Sequence, residues 1–180
     1  MTIWIAFFRG INVGGRNILP MKALQALLGE LGCTDVATYI QSGNVVFRHD
    51  GGQANALSQT ISEAVLSRFH FSPQVLLLPV SDLKNALAAN PYPAAEEQPK
   101  SLHLYFLSAA ATGADLDGLH KLKSAGEEFE LIGQVFYLHA PDGIGRSKLA
   151  ARVEKLLGVP ATARNWRTSK KMLEIAIGES

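Results

Sequence analysis

Between Thr2 and Leu78 the chain alternates apolar runs with amphipathic stripes in a single order: strand, helix, strand, strand, helix, strand. Few architectures accept that order. Residues 2–8 are almost continuously apolar, as in a strand covered on both faces. Pro20 suits the first turn of a helix. Leu24, Leu27, Leu28 and Leu31 then fall at i, i+3, i+4 and i+7 to make one apolar stripe, and Gly32 supplies its stop. Residues 36–41 and 44–48 are β-rich around Ser42-Gly43, which reads as a tight hairpin turn. Asp50-Gly51-Gly52 breaks the chain. Leu57, Ile61, Ala64, Val65 and Phe69 mark a second helix, and residues 75–78 a fourth strand. The prediction is an α+β fold of ferredoxin-like βαββαβ type, an antiparallel sheet with helices on one face.

The order recurs. Ser81 is placed to cap a short helix that ends before Asn90-Pro91-Tyr92-Pro93. Residues 90–100 hold three of the eight prolines and read as a linker. Beyond it come a strand at 102–107, a short helix at 115–122 and a hairpin of 129–132 with 134–139 about Gly133. A helix over 147–157 is stopped by Gly158, and a last helix runs from about 166 to 177 with Asn165 as its cap. A local echo supports the repeat. Val46-Phe47 leads through His49 and Asp50-Gly51 into a helix, and Val135-Phe136 leads through His139 and Asp142-Gly143 into another. The expected division is therefore an N-terminal half (1–89), a linker (90–100) and a related C-terminal half (101–180) with basic terminal helices.

Composition narrows the function classes. With 180 residues, 47% of them hydrophobic and 18% charged, the chain is globular in class. No apolar run approaches the ~20 residues a bilayer span requires, so no membrane partner is expected. The lone Cys33 permits no internal disulfide and fits a reducing cytoplasm. The net charge of +1 hides a segregation. Residues 92–141 carry three basic and seven acidic groups, whereas 142–180 carry eight basic and four acidic. Such runs either solvate helix faces or steer charged partners.

Three segments carry candidate chemistry. In Arg9-Gly10-Ile11-Asn12-Val13-Gly14-Gly15-Arg16-Asn17, glycine-freed amides, a following helix start and two guanidinium groups suit a phosphate or carboxylate. The candidate ligand-binding residues are Arg9, Asn12, Gly14, Gly15, Arg16 and Asn17. The spacing is neither G-x-G-x-x-G nor a P-loop, and the alternative is a long structural loop whose arginines brace the hairpin beside it. Asp142-Gly143-Ile144-Gly145-Arg146-Ser147-Lys148 has a similar strand-to-helix placement. It adds Gly143, Gly145, Arg146, Ser147 and Lys148, unless Ser147 is only a helix cap. Arg164, beside Asn165 and Trp166, is the last candidate. An aromatic among arginines stacks on bases or anchors a helix in the core, so nucleic acid is a weaker alternative partner for residues 146–171.

Catalytic sets are sparse. The five histidines (His49, His70, His103, His120, His139) show no H-x-x-x-H spacing, no G-x-S-x-G elbow occurs, and Cys33 reads as a small packed apolar group. No metal and no cofactor is expected, catalytic residues are unknown, and whether the chain is an enzyme stays open. A non-catalytic interaction module, monomeric or a homodimer joined through a sheet edge, is a further alternative.

Residues 9–17, the block Tyr39-Ile40-Gln41-Ser42-Gly43-Asn44-Val45-Val46-Phe47, residues 142–149 and Arg164-Asn165-Trp166 closely resemble the bacterial family known as domain of unknown function 1697. Arg167 departs from that family's pattern, which has Asn there. The resemblance implies an α+β fold built on ferredoxin-like units in a cytosolic bacterial protein. It implies no activity and transfers no catalytic residue. The residues themselves point to a phosphorylated or otherwise anionic small molecule bound at the Gly/Arg turns.

Overall fold

The computed structural model describes residues 1–178. The first element set is β1 (Thr2–Arg9), α1 (Met21–Glu30), β2 (Thr34–Tyr39), β3 (Asn44–His49), α2 (Ala54–Phe69), β4 (Gln74–Pro79) and α3 (Val80–Ala88). The second is β5 (Leu102–Leu107), α4 (Leu116–Leu122), β6 (Glu128–Ile132), β7 (Val135–His139), α5 (Val153–Leu157), β8 (Ala161–Asn165) and α6 (Trp166–Ile177). Each set forms a four-stranded antiparallel sheet, in the orders β2-β3-β1-β4 and β6-β7-β5-β8. The α+β class and the two related ferredoxin-like halves are thus present, and the repeat extends to a helix that follows β4 and β8 without a loop.

Strand alternation explains the burial. In β1, Trp4, Ala6 and Phe8 pack with Leu24, Leu28, Ile61 and Val65 of α1 and α2, while Ile5 and Phe7 on the opposite face are equally buried. A strand hidden on both sides needs an unbroken apolar run, as residues 3–8 have. In the second sheet Tyr105, Leu107, Phe136 and Leu138 share a core with Leu119, Val153 and Leu157, and Leu104 and Phe106 on the other face are buried as well.

The chain divides into two compact units, one formed by Met1–Asn85 with the residues from Lys171 on, the other by Ala86–Lys170. The division falls inside α3 and α6, and residues 90–100 contain a 3-10 helix, Pro93–Glu97. Some element bounds differ from the sequence expectation. β8 has no strand signature, because Ala161–Asn165 is short and polar; pairing with β5 makes it a strand. The helix expected over 147–157 is a 3-10 turn at Ala150–Arg152 followed by α5, since Ser147 N–H bonds to Ile144 O and holds the preceding residues in turns. Ser81 is not a cap, because α3 starts at Val80 directly from β4, and its hydroxyl meets Asp82 instead. Among the described residues no helix is long and apolar enough to cross a membrane.

Candidate functional site

The loop from β1 to α1 is a small protruding hairpin. Val13 and Arg16 form an isolated antiparallel bridge, and Arg16 N–H donates to Val13 O at 3.0 Å. Between them Gly14 and Gly15 both adopt positive φ, 58° and 73°, as a turn of type I′ demands. Asn12 and Asn17 flank the turn, themselves left-handed, and Asn12 N–H donates to Asn17 O at 3.1 Å. Asparagine tolerates that conformation better than most residues. Their side chains lock the base. Asn12 Oδ1 accepts Leu19 N–H at 2.7 Å, while its Nδ2 donates to Leu19 O at 3.0 Å and Gln41 O at 2.9 Å. Asn17 Nδ2 donates to Gly10 O at 2.8 Å.

The hairpin rests on the turn between β2 and β3. Phe8 N–H donates to Gly43 O at 2.8 Å, and a Cβ at Gly43 would lie 2.6 Å from Phe8 Cβ and 2.8 Å from Ile11 Cδ1. Asn44 is fully buried and donates to Tyr39 O and to the Ser42 hydroxyl. Two separate sequence blocks, 9–17 and 39–47, therefore meet at one end of the first sheet. Arg9 reaches across that end, donating to Gln74 Oε1 at 3.3 Å, and Arg16 stands exposed on the hairpin. The start of α1 has no side-chain cap and no acidic residue in its first turn.

Residues 1–137 match the model of the family described as protein of unknown function, DUF1697. The chain belongs to that family. The matched residues include the whole hairpin and its supporting turn but end before residues 143–148 and Arg164. The DUF1697 chain also superposes on a solved structure, "conserved bacterial protein SP0830" from Streptococcus pneumoniae, with a TM-score of 0.72 at 24% identity, covering 97% of this chain and 98% of that one. That likeness speaks to fold alone. Comparison with curated proteins gives no match.

The second Gly/Arg segment of this DUF1697 chain is built differently. Gly143 takes φ 78° to close a turn in which its N–H donates to Ala140 O at 2.8 Å. Ser147 Oγ accepts Ala150 N–H at 2.9 Å and also meets the carboxylate of Glu127. Glu127 is only 5% exposed, and its Oε2 accepts Ser124 N–H at 2.9 Å. Burial alone would raise the Glu127 carboxyl, but hydrogen bonds from Ser124 and Ser147 outweigh it and hold the group below its ordinary value. A buried anion already sits behind this turn. Gly145, Arg146 and Lys148 are exposed. Arg164 lies on β8, its cation desolvated enough to bring it down to about 10, with Nη1 donating to Ala163 O at 2.8 Å. Trp166 is 5% exposed and offers no face to a base, while Asn165 caps α6 by accepting Thr168 N–H at 2.8 Å.

The first loop reads in the sequence as a cradle of glycines and arginines, and it folds as a hairpin. Val-Gly-Gly-Arg between two asparagines is a hairpin signal, and it accounts for Gly14 and Gly15 without any ligand. Gln74 and Glu127 were not singled out, because their roles depend on strands and loops distant in sequence. Among the described residues no group of three His, Cys, Asp or Glu side chains could hold a metal ion. Cys33 is buried, which pushes its thiol up to about 11 and away from reactivity.

Proposed function

We propose that this chain is a binding protein for an anionic ligand, a phosphorylated small molecule or a carboxylate, taken up at the hairpin between β1 and α1. Arg16 and Arg9 supply the charge and the asparagine-braced loop holds them in place. One observation carries this reading. Arg16 and Lys22 flank the start of α1 with no carboxylate in the chain before Glu30, and α1 begins uncapped. The equivalent junction of the second unit, from β5 to α4, answers its own helix start with Asp115, which accepts Gly118 N–H at 2.8 Å, and with Asp117 in the first turn. An uncapped helix start flanked by cations favours an external anion.

The turn at Gly143, Gly145, Arg146, Ser147 and Lys148 supports the reading less, because the Glu127 carboxylate behind it opposes a second negative charge. Thermal shift with inorganic phosphate, pyrophosphate, nucleotides, sugar phosphates and dicarboxylates tests the proposal. A ligand at a hundredfold excess over its Kd adds about 2.7 kcal/mol of apparent stability. The shift should vanish in Arg16→Ala and persist in Arg146→Ala. No shift with any anion, or one indifferent to Arg16, removes the reading.

A further inference from the structure

We infer that the outer edge of β6 takes up an extended polypeptide segment of alternating cationic and aliphatic side chains as a fifth strand of its sheet. Ile132 and Val135 flank the two-residue turn Gly133-Gln134, so they form a hydrogen-bonded pair, as do Glu130 with Tyr137 and Glu128 with His139. Phe129 and Leu131, which alternate with them, turn their N–H and C=O groups away from β7. Among the described residues nothing hydrogen-bonds to those groups. The other outer strands are answered. β2 breaks register between Thr34 and Ala37, and Gln25 Nε2 donates to Val36 O at 3.4 Å. The Ser58 hydroxyl donates to Val75 O on β4, and Ala161 N–H of β8 donates to Glu154 Oε1 at 3.4 Å. β6 instead keeps an unbroken register over its five residues. A straight edge with unpaired amides is a template for another strand.

The residues of the strand select the occupant. Phe129 and Leu131 lie half-buried against the core on the helix side, the Phe129 ring stacked on Phe136 at 5.2 Å. An aliphatic side chain beside them extends that core. Glu128 and Glu130 stand exposed on the opposite face. Glu128 meets Lys123 Nζ at 2.9 Å, whereas Glu130 has no cationic partner among the described residues. Both carboxylates are felt at Tyr92, whose phenol is pushed up to about 12, by burial first and then by Glu130 and Glu128. A cation opposite Glu130 therefore neutralises a charge that the fold leaves open. A second copy fits poorly. The antiparallel register that overlaps the whole strand sets Glu130 directly against the same residue of the copy. The two faces thus ask for a segment that alternates, Lys or Arg on one side and Val, Ile or Leu on the other.

Fluorescence anisotropy on the full chain decides, using short labelled peptides of alternating Lys and Val, of alternating Glu and Val, and of alternating Lys and Ser. A fourth peptide is the Lys/Val sequence with every backbone nitrogen methylated, which has no ladder donor to offer. The Lys/Val peptide should bind at least about tenfold more tightly than the other three. Glu130→Lys should reverse the preference in favour of the Glu/Val peptide. Leu131→Pro, which removes an outward N–H and none that β7 uses, should abolish Lys/Val binding. Circular dichroism checks the fold of both variants, and Glu130→Lys, at an exposed position, keeps the test open if the proline variant does not fold. Absence of Lys/Val binding overturns the inference. Binding that is indifferent to Glu130→Lys, to methylation or to replacement of Val by Ser overturns it as well. So does a wild-type dimer in light scattering that Leu131→Pro or Glu130→Lys disperses, because the occupant is then a second copy. The anion reading stands or falls separately, on Arg16 in the first unit.

Discussion

The two units share strand order, helix placement and one tertiary hydrogen bond, yet they use the end of the sheet in opposite ways. Phe8 N–H donates to Gly43 O at 2.8 Å in the first, and Leu107 N–H donates to Gln134 O at 2.9 Å in the second. The same junction thus carries glycine in one unit and glutamine in the other. The difference follows from the hairpin. Ile11 and Phe8 press on Gly43, whereas the loop from β5 to α4 bonds elsewhere, Asp115 N–H reaching Leu156 O at 2.7 Å. A repeated fold sets where the loops lie; what stands on the loops sets how much of the turn beneath is constrained.

The strongest way to break this comparison is to equalise the turns. Gly43→Ala places a methyl group 2.6 Å from Phe8 Cβ in a backbone at φ +74°, two penalties at one position. A loss of about 2–4 kcal/mol is expected in urea denaturation. Gln134→Ala, at an exposed position of the matching turn, should stay within about 0.5 kcal/mol. Similar losses for the two would show that the hairpin does not constrain its support.

Next in size are the two junctions themselves. Asn12→Ala removes three hydrogen bonds and leaves an alanine at φ +54°, so about 2 kcal/mol should go. Asp115→Ala removes one capping bond, worth about 1 kcal/mol. The order of these two losses measures whether the first junction is built more rigidly than the second.

A third contrast is chemical. Trp4 and His103 both face the helices of their own sheets and pair with the last residues of β4 and β8, Pro79 and Asn165. Each buries a ring nitrogen without a partner, Nε1 of Trp4 and Nδ1 of His103. Only the histidine titrates, and burial lowers it from its ordinary 6.5. Near and below that value the unfolded chain binds a proton that the folded chain resists, so stability should fall as pH drops through the ordinary histidine range. His103→Phe should flatten that slope in pH-dependent unfolding; an unchanged slope would assign it to another group.

Much of this was legible in the residues. The spacing of Leu24, Leu27, Leu28 and Leu31, the unbroken apolar run of β1 and the stop at Gly32 are local signals, and each element they mark is present, whereas Gly158 ends only the short α5. β8 was not legible, since Thr162, Arg164 and Asn165 become strand residues only by pairing with β5. At the candidate site, Arg9–Asn17 stands out by its glycines and arginines, but glycine content does not distinguish a turn of type I′ from an anion cradle. The exposure of Val13 and Ile18 is not legible in the sequence, because exposure is a tertiary property. Glu127 went unnoticed for the same reason: a glutamate among three acidic residues reads as solvated until the fold buries it.

The smallest expected effect on stability belongs to the residue on which the proposed function leans most. Arg16 is exposed at the hairpin, and its backbone rather than its guanidinium closes the bridge to Val13. Arg16→Ala keeps that backbone bond, so unfolding free energy should change by less than about 0.5 kcal/mol. Asp115 in the other unit behaves oppositely, its side chain capping the start of α4. If Arg16→Ala instead costs as much as a lost cap, about 1 kcal/mol, its guanidinium braces the hairpin. The contrast between a self-neutralised junction and one left open to an anion then collapses.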